Sequence, residues 1–181
     1  MLKTNQRKNL SVQYMTRIAI LAALASVLFM IEIPVIPPFY KLDFSNLPAL
    51  LGAFSRGPVP GVLIVLVKSL VGLTHSGTGG VGELADFIMG AAFVIPAALI
   101  YARMKTRKGA LISMLVATVA MIIVAALTNY FILFPMLTHA YPEFKFILTA
   151  TMPFNLLKGV ALCVVTGLIY KPLSPLLHVK K

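Results

Sequence analysis

Residues 110–134, ALISMLVATVAMIIVAALTNYFILF, decide the fold. No Asp, Glu, Lys or Arg occurs in this run, or anywhere between Gly109 and Pro142. A helix needs roughly 20 mostly apolar residues to cross the hydrocarbon core of a bilayer. The run therefore reads as a membrane-spanning helix. Upstream, the basic turn Arg103, Lys105, Arg107 and Lys108 closes a segment over 84–102 that carries Asp86 near its start. Downstream, a loop with His139, Tyr141, Pro142 and Glu143 leads to a segment over 147–170 with Lys158 near its middle, which Lys171-Pro172 is expected to stop. Towards the N-terminus lies a segment over 59–74, interrupted only by Lys68 and tied to 84–102 by the loop His75-Ser76-Gly77-Thr78-Gly79-Gly80. Residues 47–55 are apolar but too short to span, a half-helix or tilted segment ended by Arg56-Gly57-Pro58. The first span covers 15–31; Pro34, Pro37 and Pro38 then forbid helix, and the stretch through Asn46 reads as an ordered loop. Lys3, Arg7 and Lys8 resemble the charged region of a signal peptide, but no small-residue cleavage site follows, so the first span reads as retained.

Composition agrees with this reading. Of 181 residues, 59% are hydrophobic and 12% charged, against about 25% charged in an average soluble domain. Mean hydropathy is +0.93. The chain is expected to be one integral-membrane domain over 1–181, an all-α bundle of six transmembrane segments. Its net charge of +11 does not point to nucleic acid, because the cations cluster between apolar spans instead of interleaving with aromatics. A six-segment topology places twelve of the 16 cations on one side, including Arg17, Arg56, Arg103, Lys105, Arg107 and Lys108. Only Lys41 and Lys145 fall on the other side, with Glu32, Asp43, Glu83, Asp86 and Glu143 on or near it. The positive-inside rule then makes the basic side, and both termini, cytoplasmic.

Charges within a span mark the sites where chemistry is expected, since each costs about 2.5–3.5 kcal/mol at a helix centre. Lys158 lies roughly 16 Å along its helix at ~1.5 Å per residue. Thr151, Asn155 and Lys158 share one helix face. They form either a polar cavity wall or a structural lysine with its helix neighbours. Asn129, in an otherwise apolar run, is either a second wall of that cavity or interhelical glue. Glu83 and Asp86 share a face at the start of 84–102, where carboxylates also complement the helix dipole. The glycine loop before them lacks the Gly-Lys-Ser/Thr of a phosphate-binding loop. His75, His139 and His178 have no zinc spacing, Cys163 is the single cysteine, and no nucleophile elbow occurs. No metal site and no catalytic residue is expected.

Several motifs resemble one family. They are Lys41-Leu42-Asp43-Phe44-Ser45-Asn46-Leu47-Pro48-Ala49-Leu50, Gly57-Pro58-Val59-Pro60-Gly61-Val62 followed by Lys68, the run Thr78 to Phe87, and Pro153-Phe154-Asn155-Leu156-Leu157-Lys158. In order along the chain they resemble the riboflavin-binding S components of energy-coupling factor (ECF) transporters. The resemblance implies a multi-pass protein of the bacterial cell membrane, without catalytic activity or cofactor, that holds riboflavin near the outer face. It implies two ATPase subunits and a transmembrane coupling protein as partners. Leu42, Asp43 and Glu83 from loops, with Asn129, Asn155 and Lys158 from spans, are the expected riboflavin contacts. Riboflavin fits that inventory, because its ring edge alternates acceptors with an N–H and its ribityl hydroxyls need polar partners. Ala19 and Ala23 match the family's small-residue docking stripe for the coupling protein, or else pack within the chain's own bundle. Lys41, His139 and Lys145 either meet the phosphate of FMN or are simply solvated. The alternatives are an S component for another vitamin, such as thiamine, or a membrane enzyme acting on a lipid-linked substrate.

Overall fold

The computed structural model describes residues 12–36 and 40–177, which form six helices and one hairpin. Expectations resting on Lys3, Arg7, Lys8, Pro37, Pro38, His178, Lys180 and Lys181 lie outside the described residues. Helix α1 spans Val12–Met30, α2 Asn46–Arg56, α3 Pro58–Gly72 and α4 Val81–Arg103. Helix α5 joins Arg107–Thr128, a π-helical turn Asn129–Leu133 and Phe134–Thr138. Helix α6 joins Phe144–Phe146, a π-helical turn Ile147–Thr151 and Met152–Leu177.

The packing rule is visible on α5. Gly109, Ala110, Ser113, Ala117, Thr118 and Ala125 face inward, while Leu115, Val119, Ile123 and Leu127 are exposed. Small residues inside and large apolar ones outside is the inverse of a soluble helix, and suits lipid on the outer face. It also brings helices close: Gly159 on α6 sits against the Thr118 side chain with no room for a Cβ. Thr106 caps α5 by accepting the Gly109 N–H at 3.0 Å. Helices α3, α4, α5 and α6 are long and apolar enough to cross a membrane, over Pro58–His75, Val81–Arg103, Arg107–Thr138 and Phe144–Tyr170. Over Tyr14–Met30, α1 is a shorter apolar helix. Helix α2 has 11 residues and lies against α1, α3, α4 and α6. It turns into α3 at Gly57, whose φ of 100° a side chain would strain.

Two expectations change, and the structure adds two π turns. The stretch read as an ordered loop contains an antiparallel hairpin, β1 Ile33–Ile36 with β2 Tyr40–Leu42, pairing Ile33 with Leu42 and Pro34 with Lys41. Proline forbids helix there but is tolerated at the edge of a two-stranded ribbon. The last helix does not stop at Lys171-Pro172 but runs on to Leu177, since membrane helices accommodate proline better than soluble ones. Both π turns were invisible to helical periodicity. Each is followed at the same offset by proline, Pro135 and Pro153. Proline has no N–H for the carbonyl four residues back, and one wider turn absorbs the misfit.

Because successive helices run antiparallel, Arg17, Arg56 and the Arg103–Lys108 turn collect at one end of the bundle. The hairpin, the glycine loop and the α5–α6 turn collect at the other. Arg56 there stacks its guanidinium 5.3 Å from the centre of the Tyr14 ring, closing the basic end.

Candidate ligand-binding site

A cavity of about 620 Å3 lies at the end of the bundle away from the basic turns. Its mouth is formed by Glu32 and Lys41 of the hairpin region, His75 and Thr78 of the glycine loop, and Thr138. Its walls include Phe29, Tyr40, Met121, Leu133 and Phe154, which suit a flat apolar group. Mostly apolar walls with a few converging polar groups are the usual form of a small-molecule site.

The polar part is an ion network of two cations and two anions. Lys158 Nζ donates to Asp43 Oδ2 at 2.7 Å and lies 3.6 Å from Asp86 Oδ1. Lys68 Nζ lies 2.8 Å from Asp86 Oδ2 and donates to Ser45 Oγ at 2.6 Å. Ser45 in turn donates to Asp43 through its N–H at 2.9 Å and through its hydroxyl. Three helices, α3, α4 and α6, and the first loop thus meet on one charge-balanced cluster, and isolated buried charges are avoided. Burial by itself would raise the Asp43 carboxyl's pKa, but the Lys158 and Lys68 ammoniums and the donated hydrogen bonds hold it well below the usual carboxylate range.

The amides come from the two π-turn helices. Asn129 Nδ2 donates to the Ala125 carbonyl at 2.7 Å and Asn155 Nδ2 to the Thr151 carbonyl at 2.9 Å. Asn129 Oδ1 is buried without a partner, an acceptor that a ligand donor would satisfy. Thr151 also bonds the Tyr40 hydroxyl at 2.5 Å, tying the hairpin to α6. π turns often mark functional sites, and here they lie beside the two amides.

Of the residues singled out in the sequence, Asp43, Glu83, Asn129, Asn155 and Lys158 all line the cavity. Leu42 does not line it; alternation on the strand puts it with Tyr40, where it packs on the Ala150 and Phe154 cluster. Glu83 also holds the glycine loop, accepting from Ser76 Oγ at 2.7 Å and Thr78 Oγ1 at 3.2 Å. Asp86, read in sequence mainly as a helix-dipole partner, is a member of the ion network and lines the cavity. Lys68 and Asn46 were not picked out as site residues; the charge of Lys68 inside a span was the available signal. Lys41 is engaged by Glu32 at 2.5 Å. Ala19 and Ala23 are exposed on α1, while Ala22, Ala25 and Ser26 face its partners. Among the described residues no cluster of metal-ligating side chains occurs.

The family model for the ECF transporter, substrate-specific component, matches residues 13–170. Riboflavin transporter RibU of Staphylococcus aureus (strain TCH60) is 36% identical over 94% of this chain and 96% of its own. Riboflavin transporter FmnP of Bacillus subtilis (strain 168) is 28% identical over 92% of this chain and 94% of its own. A solved structure of the S component of a bacterial ECF transporter superposes with a TM-score of 0.80 at 36% identity, covering 92% of this chain and 98% of that one. ThiT from Listeria monocytogenes shares the fold alone, with a TM-score of 0.61 at 17% identity over 91% of this chain and 96% of that one.

Proposed function

The chain belongs to the family of substrate-specific components of ECF transporters, and from that premise we propose that it is the riboflavin-binding membrane subunit of such a transporter. The observation that carries the ligand is the cavity itself. Aromatic and apolar walls fit the isoalloxazine ring, the unpaired Asn129 oxygen suits its ring N–H, and the ion network offers partners to the ribityl hydroxyls. The riboflavin transporters among its relatives support the same ligand. The chain is not an enzyme; its role is to bind and deliver.

The positive-inside rule puts the Arg103–Lys108 end in the cytoplasm, with both termini, and the cavity at the outer face of the plasma membrane. Riboflavin is captured there and released inward when the subunit is docked on a coupling protein driven by two ATPases. The exposed Ala19 and Ala23 give α1 a smooth stripe for that docking, because small residues permit close helix approach. Leu42 acts from behind the wall by supporting Tyr40.

The test is direct. The subunit produced alone in cells supplied with riboflavin should purify yellow, quench riboflavin fluorescence on titration, and give no concentrative uptake by itself. A colourless protein that leaves riboflavin fluorescence unchanged, while binding thiamine, would overturn the assignment.

A further inference from the structure

Asn46 opens α2, directly after the loop that carries Asp43 and Ser45. Its residue is 1% exposed, it lines the cavity, and its Oδ1 is buried with no hydrogen-bond partner. A buried acceptor left unmade costs free energy, so such an atom calls for a donor from elsewhere. The ions around it direct their contacts to one another: Lys158 to Asp43, Lys68 to Ser45 and Asp86, Ser45 to Asp43.

The helix opposite is notched at this point. A Cβ at Gly90 of α4 would stand 3.2 Å from Asn46 Oδ1 and 2.7 Å from Val65 Cγ1. Glycine and the apolar Val65 therefore pack that side of the oxygen and offer it no side-chain donor. The other unpaired oxygen on a cavity-lining residue, Asn129 Oδ1, sits on α5 in the wall that also carries Met121 and Leu133. That environment suits the ring. Asn46 instead directly follows Ser45, which donates to Asp43 and accepts from Lys68, a polar setting that suits the polyol chain.

We infer that Asn46 is a ligand-binding residue whose Oδ1 accepts a hydrogen bond from a hydroxyl of the ribityl chain. This rests on the reading of riboflavin as the ligand. It makes Asn46 a determinant of the side chain borne by the flavin, distinct from recognition of the ring.

The experiment compares riboflavin with lumiflavin, which carries a methyl group in place of the ribityl chain, on the purified full chain and its Asn46→Ala variant. Removing an unpaired acceptor should not lower the melting temperature of the ligand-free protein. Riboflavin affinity should fall about ten-fold, the loss of one hydrogen bond, while lumiflavin affinity, read by competition, stays unchanged. Unchanged riboflavin affinity, or an equal loss for both flavins, overturns the inference. If lumiflavin is too weak to titrate, a roughly ten-fold loss of riboflavin affinity at an unchanged melting temperature supports the inference, and an unchanged affinity overturns it. If Asn46→Ala fails to fold, Asn46→Leu refills the space; failure of both makes Asn46 structural and removes the proposal. Absence of riboflavin binding by the unaltered protein would sink the functional assignment itself, a result separate from any effect of Asn46.

Discussion

Replacing Lys158 by Met keeps most of the side chain's length and removes its ammonium. In the structure that ammonium is 2.7 Å from Asp43 Oδ2 and 3.6 Å from Asp86 Oδ1, on a residue 7% exposed. Two effects follow, and they can be separated. The network would drop to one cation against two anions, and breaking a buried pair costs about 3–5 kcal/mol of stability. The ligand would also lose a charged donor, worth about 1.5–3 kcal/mol, or roughly 10- to 150-fold in affinity. Lys158→Met is therefore expected to melt lower and to bind riboflavin more weakly, by thermal unfolding and fluorescence quenching in detergent. The double variant Lys158→Met/Asp43→Asn restores charge balance; it should regain much of the stability but not the affinity. A folded Lys158→Met protein that binds riboflavin as tightly as the unaltered chain would make Lys158 structural and refute the site as drawn.

Ala19→Trp or Ala23→Trp should leave riboflavin quenching intact, because both residues face out of the bundle, yet weaken co-purification with the coupling protein and reduce uptake. Lost flavin binding with intact assembly would place the stripe in the wrong role. Glu32→Gln should release Lys41 from its 2.5 Å pair and strengthen FMN relative to riboflavin by a few-fold in competition titrations; an unchanged ratio removes Lys41 from phosphate recognition. Because the Asp43 carboxyl is held below its ordinary value of about 3.9, its stabilising contribution is present above that pH and is lost only as pH falls through the lower folded value. Thermal unfolding of the ligand-free protein should therefore show no Asp43-dependent loss between pH 8 and 5, measured against Asp43→Asn. A loss already present at pH 6 would contradict the ion network.

The charge-free run at 110–134 made α5 legible, and Arg56-Gly57-Pro58 marked the break that Gly57 provides with its positive φ. Thr151, Asn155 and Lys158 were readable as one face because three- and four-residue spacings survive in a helix. What periodicity could not show was the π turns: one additional residue in a turn changes the direction of a side chain without changing composition. The Lys68–Asp86 pair was equally hidden. Asp86 had a local explanation in the helix dipole and Lys68 stood alone within its span, and only the packing of α3 on α4 brings them to 2.8 Å. Asn46 looked like the end of a loop; its isolation as an unpaired acceptor is a fact about surroundings, which sequence does not carry. Leu42 was drawn in by its place in a recognisable motif, whereas the hairpin turns it onto Phe154.

The buried ions have an order along the chain that bears on how the protein is made. Read from the N-terminus they alternate in sign: Asp43, Lys68, Asp86, Lys158. During synthesis each charge after the first therefore enters the membrane when an opposite one has already emerged from the ribosome. Lys68 has Asp43 ahead of it, and Asp86 has Lys68. The final bond joins Lys158 to Asp43 across 115 positions, so the first loop, held earlier by Lys68 through Ser45, gains its own carboxylate's partner only when the last helix arrives. Until then the cluster holds one carboxylate more than it can neutralise, and the arrival of α6 completes its charge balance.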